Sequence, residues 1–217
     1  MLLLAFDTAT PAVTVALYDG VHVLAEVESA DARRHGELLA PSIDKVLAGA
    51  GATLPDVTAV AVGTGPGPYT GLRAGLVTAR VLGSALDIPV YGVCTLDVIA
   101  SDAAAAAAGR DFVVATDARR RELYWARYSA AGQRLTEPAV SAPGGIGPSG
   151  PVAGVGARLY PGLLGEPIEP EYPAARTLAH LAAQRLAARA PMLPAEPLYL
   201  RRPDAQVPGP PKRVTPS

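Results

Sequence analysis

The feature that most constrains this fold is a repeated pattern. Leu2 to Phe6 is an apolar run that ends at Asp7-Thr8-Ala9-Thr10-Pro11, and Asp111-Phe112-Val113-Val114-Ala115-Thr116-Asp117 is built the same way. Each run leads into a second strand-like segment, Val13 to Tyr18 in the first copy and Leu123 to Tyr128 in the second. Asp19-Gly20, a strong hairpin signal, and Ala131-Gly132 follow at matching places. A third strand runs through Val21, Val23 and Ala25; its counterpart begins at Arg134 to Thr136. The copies share little identity, so the pattern carries the argument. A strand–corner–strand–turn–strand unit met twice predicts a duplicated α/β fold of two lobes.

Between the copies, Gly63-Thr64-Gly65-Pro66-Gly67-Pro68-Tyr69-Thr70-Gly71-Leu72-Arg73 joins the β-branched run Val57 to Val62 to a helical pattern over Leu72 to Leu86. Glycine admits backbone angles closed to other residues and lets a neighbour approach the main chain. Thr70 can cap the helix, whose remaining free N–H groups suit an anion. The loop reads either as a phosphate or nucleotide cradle or as a rigid strand-to-helix turn. It is not a P-loop, for no Lys-Ser/Thr pair follows its second glycine, and Pro68 spoils the dinucleotide fingerprint. Candidate nucleotide or phosphate contacts are Asp7, Thr8, Thr10, Gly65, Gly67 and Thr70.

The helix after the loop is apolar on two sides. Leu72, Gly75, Leu76, Ala79, Leu82, Gly83 and Leu86 form one stripe, Ala74, Val81 and Ala85 lie nearly opposite, and Arg73, Arg80 and Ser84 make a narrow polar edge. In the preceding helix, Leu39, Ile43, Val46 and Leu47 share a face, with Pro41 kinking it or starting a second helix. Small residues at Gly75, Ala79 and Gly83 would let another helix approach closely. The expected partner surface is therefore Leu39, Ile43, Val46, Leu72, Gly75, Leu76, Ala79 and Gly83, against the plainer reading that these residues are core.

Ile88 to Val93 is another strand, and Thr95 can cap a helix that runs into the alanines at 103–108. After Val140 the second copy degrades into the Gly/Pro-rich stretch Pro143 to Pro151, the short strand and turn Val152 to Gly156, and a helix over Ala174 to Ala190. Proline and polar residues fill Pro203 to Ser217, which predicts a disordered tail. The expected domains are an N-terminal lobe over 1–109 and a reduced C-terminal lobe over 110–202.

Chemistry-bearing constellations are few. The histidines, His22, His35 and His180, form no metal-ligand pair, and no serine nucleophile elbow is visible. Asp7 and Asp117 read either as metal-organising carboxylates facing an interlobe cleft or as aspartates bonding their own corners. Net charge is −1, so no global field recruits nucleic acid or membrane. The single cysteine, Cys94, fits a core thiol in a reducing compartment. No signal peptide or membrane span is read, and the expected location is the cytoplasm.

Leu4-Ala5-Phe6-Asp7-Thr8-Ala9-Thr10, Gly63 to Gly75, Ile88-Pro89-Val90, Thr95-Leu96-Asp97, Asp117-Ala118-Arg119-Arg120 and Pro197-Leu198-Tyr199-Leu200-Arg201 together resemble the TsaB family. That is the bacterial dimerisation subunit of the tRNA threonylcarbamoyladenosine (t6A) system. The resemblance implies the two-lobed fold of actin, sugar kinases and Hsp70. It implies a non-catalytic scaffold that pairs with the catalytic subunit TsaD, works beside the ATPase TsaE, forms a homodimer when TsaD is absent, and meets tRNA only through the complex. The product would be threonylcarbamoyl on N6 of adenosine 37 in tRNAs that read codons beginning with A. TsaD carries metal-binding histidines after the strand matching Ile88 to Val93; here the place reads Val93-Cys94-Thr95-Leu96-Asp97. No catalytic or metal residue is therefore expected, and no cofactor of its own, with ATP or ADP at the TsaD interface. The alternative is an ATP-dependent transferase or peptidase-like enzyme of the same superfamily.

Overall fold

Strand β1 (Leu3–Asp7) is buried at every residue, because it lies at the centre of a sheet covered on both faces. The computed structural model describes residues 1–30, 35–147 and 150–201; the expected tail at Pro203 to Ser217 lies outside them. β2 (Ala12–Tyr18) and β3 (Val23–Ala30) continue from β1 as an antiparallel meander, with Asp7 facing Thr14 and Phe6 facing Val15. β4 (Ala59–Gly63) and β5 (Val90–Val93) add in parallel, giving the order β3-β2-β1-β4-β5.

The second sheet repeats this plan. β6 (Phe112–Asp117) and β7 (Leu123–Tyr128) pair antiparallel, β8 (Ala139–Ser141) extends the meander, and β9 (Val152–Ala153) lies parallel to β6. The order β8-β7-β6-β9 matches the first sheet without its fifth strand. The predicted duplication and the reduced second lobe are thus one topology built twice. The third strand falls later than expected. Arg134 makes only an isolated bridge to Tyr128, and the ladder resumes at Ala139 after Pro138, which has no N–H to give.

Alternation along the central strands sorts the core into layers. Leu4 and Phe6 of β1 join Val13, Val15, Val60 and Val62 against α1 (His35–Gly49) and α2 (Tyr69–Leu86). Leu3 and Ala5 face the other way, onto Leu178, Ala179 and Ala182 of α5 (Ala175–Ala187). In the second sheet, Phe112 and Val114 pack on Leu96, Ile99 and Ala103 of α3 (Thr95–Ala103). Val113 and Ala115 pack instead with Ile146 and with Ala157 of α4 (Gly156–Leu159). The helices cross between the lobes. α3 leaves the first sheet to cover the second, and α5 follows the second sheet to cover the first.

α1 is one helix through Pro41, which sits on its exposed side. The stripe expected to form a partner surface is core. Leu39, Ile43, Val46, Leu72, Leu76 and Ala79 are all buried against the sheet. Gly75 and Gly83 are small because the sheet side approaches them. A Cβ on Gly75 would lie 2.5 Å from Thr8 Oγ1, and one on Gly83 would overlap the Val90 side chain.

Candidate functional site

The loop after β1 turns sharply, and Asp7 organises it. Its Oδ1 accepts the Ala9 N–H at 2.6 Å and its Oδ2 accepts the Thr95 hydroxyl at 2.7 Å. The carboxylate is fully buried, and Gly63 of β4 must be glycine because a Cβ there would overlap it. Thr95 closes a ring. Its N–H donates to the Gly65 carbonyl at 2.8 Å, and its hydroxyl accepts the Gly65 N–H at 3.1 Å. Thr95 is therefore the first residue inside α3, with Cys94 at the cap position, and its side chain serves the Gly loop rather than the helix end.

The remaining loop groups also find partners inside the fold. Thr8 Oγ1 donates to the Gly71 carbonyl at 2.7 Å and accepts the Gly75 N–H at 3.0 Å. Thr64 Oγ1 donates to the Val93 carbonyl at 3.2 Å. A Cβ on Gly67 would overlap the Ala9 carbonyl. Of the six nucleotide contacts expected from sequence, Asp7, Thr8, Thr10, Gly65 and Gly67 are buried, and only Thr70 is exposed. Thr70 does not cap α2: the helix starts at Tyr69, Pro68 occupies the cap position, and no side chain bonds there. The rigid-turn reading of the loop describes this geometry, and the open cradle does not.

The second copy repeats the corner chemistry in a more exposed form. Asp117 Oδ1 accepts the Arg119 N–H at 2.7 Å, and its other oxygen pairs with the Arg119 guanidinium at 3.1 Å. Both aspartates thus bond their own corners. Gly154 and Gly156, in the turn after β9, are glycines because Ala115 of β6 packs directly on them. Among the described residues no group of three or more His, Cys, Asp or Glu is placed to hold a metal ion. Cys94 is buried, and burial pushes its thiol up to about 12, which keeps it protonated.

A strap unread in the sequence links the lobes at this site. Leaving α5, the chain bridges the β5 edge, with the Gly92 N–H donating to the Leu193 carbonyl at 2.8 Å. It crosses the Gly loop, where the Leu198 N–H meets the Thr64 carbonyl at 2.9 Å. Tyr199 then stacks on Tyr69 with centroids 5.8 Å apart and accepts the Arg73 Nε–H at 2.9 Å, while the Arg73 guanidinium sits 4.1 Å from the Tyr69 centroid. Arg201 ends the strap on the β6–β7 hairpin, pairing with Glu122 and donating to the Ala118 carbonyl. A cleft of about 410 Å³ opens between the start of α2, that hairpin and the strap.

On its outer side α2 carries a ridge at four-residue spacing, Tyr69, Arg73, Val77, Val81 and Ala85, and all five are exposed. Val77 and Val81 are each 58 % exposed, an unusual state for two neighbouring β-branched side chains on one helix.

Residues 22–153 match the family model of TsaD, tRNA N6-adenosine threonylcarbamoyltransferase. An uncharacterized protein of Mycobacterium tuberculosis is 48 % identical over 208 residues, spanning 94 % of this chain and 93 % of its own. The tRNA threonylcarbamoyladenosine biosynthesis protein TsaB of Escherichia coli is 38 % identical over 128 residues, 59 % of this chain and 55 % of its own, so the match spans about half of that relative. The solved structure of YeaZ from Pseudomonas aeruginosa superposes with a TM-score of 0.76 at 28 % identity, covering 91 % of this chain and 100 % of that one.

Proposed function

The chain belongs to the tRNA N6-adenosine threonylcarbamoyltransferase (TsaD) family as a TsaB-like member, and we propose that it acts there as a scaffold that heterodimerises with a TsaD subunit. A role in t6A biosynthesis goes with that family. The scaffold serves threonylcarbamoyl transfer to N6 of adenosine 37 in tRNAs that read codons beginning with A.

The observation that carries this reading is the outer ridge of α2. The inner stripe of the helix meets the sheet, and the outer ridge presents Val77 and Val81 to solvent between arginines. Ridges at four-residue spacing are what one helix inserts into the groove of another. Tyrosine and arginine, as at Tyr69 and Arg73, are enriched among residues that dominate interface energetics. A TsaD subunit docks on this ridge, and a second copy of the chain takes the same place when TsaD is absent.

The Asp7 corner supports a scaffold over an independent enzyme. Its carboxylate is engaged by Ala9 and Thr95, and the loop above it closes on its own backbone. Any ATP or ADP of the reaction then sits at the interface with TsaD. TsaE completes the assembly, and tRNA joins the complex rather than the lone chain. The test is reconstitution of t6A formation from purified components, read as modified nucleoside by mass spectrometry. The reading expects product only when TsaD is present, and more of it when this chain is added. Product from this chain with TsaD omitted would make it the enzyme.

A further inference from the structure

We propose that the docking surface is composite: Tyr199, carried by the strap, completes the α2 ridge, so that a TsaD subunit covering the ridge also covers Tyr199 and fastens the strap across the lobes. The inference rests on the scaffold reading and extends it from one helix to the link between the lobes. Five ridge residues fall well short of the about 20–30 that each side of a stable interface contributes, so the contact must continue past α2. Toward the C-terminal end of the helix, the ridge borders a groove of about 510 Å³ lined by Val77, Arg80, Val81, Ser84 and Ala85. At the N-terminal end it runs onto the strap. The Tyr199 ring lies nearly parallel to that of Tyr69, at 17°, and its hydroxyl accepts the Arg73 Nε–H. Arg73 in turn lies over Tyr69, so helix and strap share one aromatic and cationic cluster. Tyr69 and Tyr199 stay 53 % and 43 % exposed, which leaves ring surface for a partner to cover.

Beneath the cluster, the strap is held by backbone bonds, the Gly92 N–H to the Leu193 carbonyl and the Leu198 N–H to the Thr64 carbonyl. Water weakens contacts between exposed side chains, and desolvating a cation over an aromatic ring strengthens its hold about tenfold. A partner that excludes water from Tyr69, Arg73 and Tyr199 therefore keeps the strap closed more firmly. Such coupling is reciprocal, so a closed strap raises the affinity for the partner by the same factor. Docking on the first lobe is thereby felt at the hairpin of the second, where Arg201 meets Glu122 and the Ala118 carbonyl.

The experiment titrates the full chain against TsaD calorimetrically and follows amide exchange in the free and the bound chain. The Gly92 N–H reports the strap from β5, outside the ridge, and the Leu198 N–H reports it at the Gly loop. Both should exchange about tenfold more slowly in the complex, and the slowing should vanish in a complex of Tyr199→Ala. Tyr199→Ala should bind TsaD about tenfold more weakly at an unchanged melting temperature. Tyr199→Phe keeps the stacked ring and should bind within about threefold of wild type, the worth of one hydrogen bond. If Tyr199→Ala binds like wild type while Val77→Glu/Val81→Glu does not bind, the scaffold reading stands and the inference is overturned. Unchanged exchange at Gly92 and Leu198 in the wild-type complex overturns it too, and that measurement on the unmodified chain decides even where the alanine variant melts early. Failure of the wild-type chain to associate with TsaD removes the scaffold reading itself, and this inference with it.

Discussion

Asp7 and Thr95 lock the corner after β1 from inside the fold. A buried carboxylate must be hydrogen-bonded to be tolerated. Here one oxygen takes a backbone N–H and the other a hydroxyl, both within 2.7 Å. Thr95→Val removes the hydroxyl and strands Asp7 and Gly65 together, so a loss of about 1–3 kcal/mol is expected, read as a lower denaturation midpoint at unchanged m-value. Cys94 gives a second check. With its thiol pushed up to about 12, it should ignore a disulfide-exchange reagent at pH 8 in the native protein and react on unfolding. An unfolded thiol ionises near 8.5, so the unfolded state sheds this proton first. The contribution of Cys94 to stability is therefore full below about pH 8.5 and declines as pH rises toward 12. Ala79, fully buried on the sheet side of α2, cannot accept charge. Ala79→Glu should unfold the chain rather than only block a partner, with a thermal melt as the measure, because an unpaired buried charge costs several kcal/mol.

At the level of elements, α2 marks where the sequence stops being decisive. Periodicity correctly groups Leu72, Gly75, Leu76, Ala79 and Gly83 on one face. It does not say whether that face meets the sheet or a partner when the opposite face is also apolar. The deciding contacts are non-local, Gly75 under Thr8 and Gly83 under Val90. The duplicated meander was legible because strands and the turns at Asp19-Gly20 and Ala131-Gly132 are local signals, and so was each aspartate at the end of a first strand. The exchange of α3 and α5 between the sheets was not, since a short amphipathic helix carries no mark of which sheet it covers. α5 offers a test of that exchange. Leu178 is fully buried against the first sheet, so Leu178→Ala should cost about 2–5 kcal/mol. The loss should appear in hydrogen exchange of β1 and β4 as well as of α5 itself.

Across the whole molecule, two ties hold the lobes in register. Asp97 at the start of α3 accepts the Tyr128 hydroxyl at 2.9 Å from the second sheet, faces Arg134 at 3.3 Å, and meets Arg185 of α5 at 3.5 Å. The strap adds Arg201 on Glu122 from the other side. A chain tied this way presents the α2 ridge on a stiff frame, which lowers the ordering cost of association. Introduced charge on that ridge would meet a partner without touching the core. The account therefore stands or falls on Val77→Glu/Val81→Glu, titrated calorimetrically against TsaD. It predicts an unchanged melting temperature and an affinity for TsaD at least a hundredfold weaker, as for carboxylates buried in an apolar contact. Wild-type affinity in a variant that melts normally would place the partner on another surface and contradict the account.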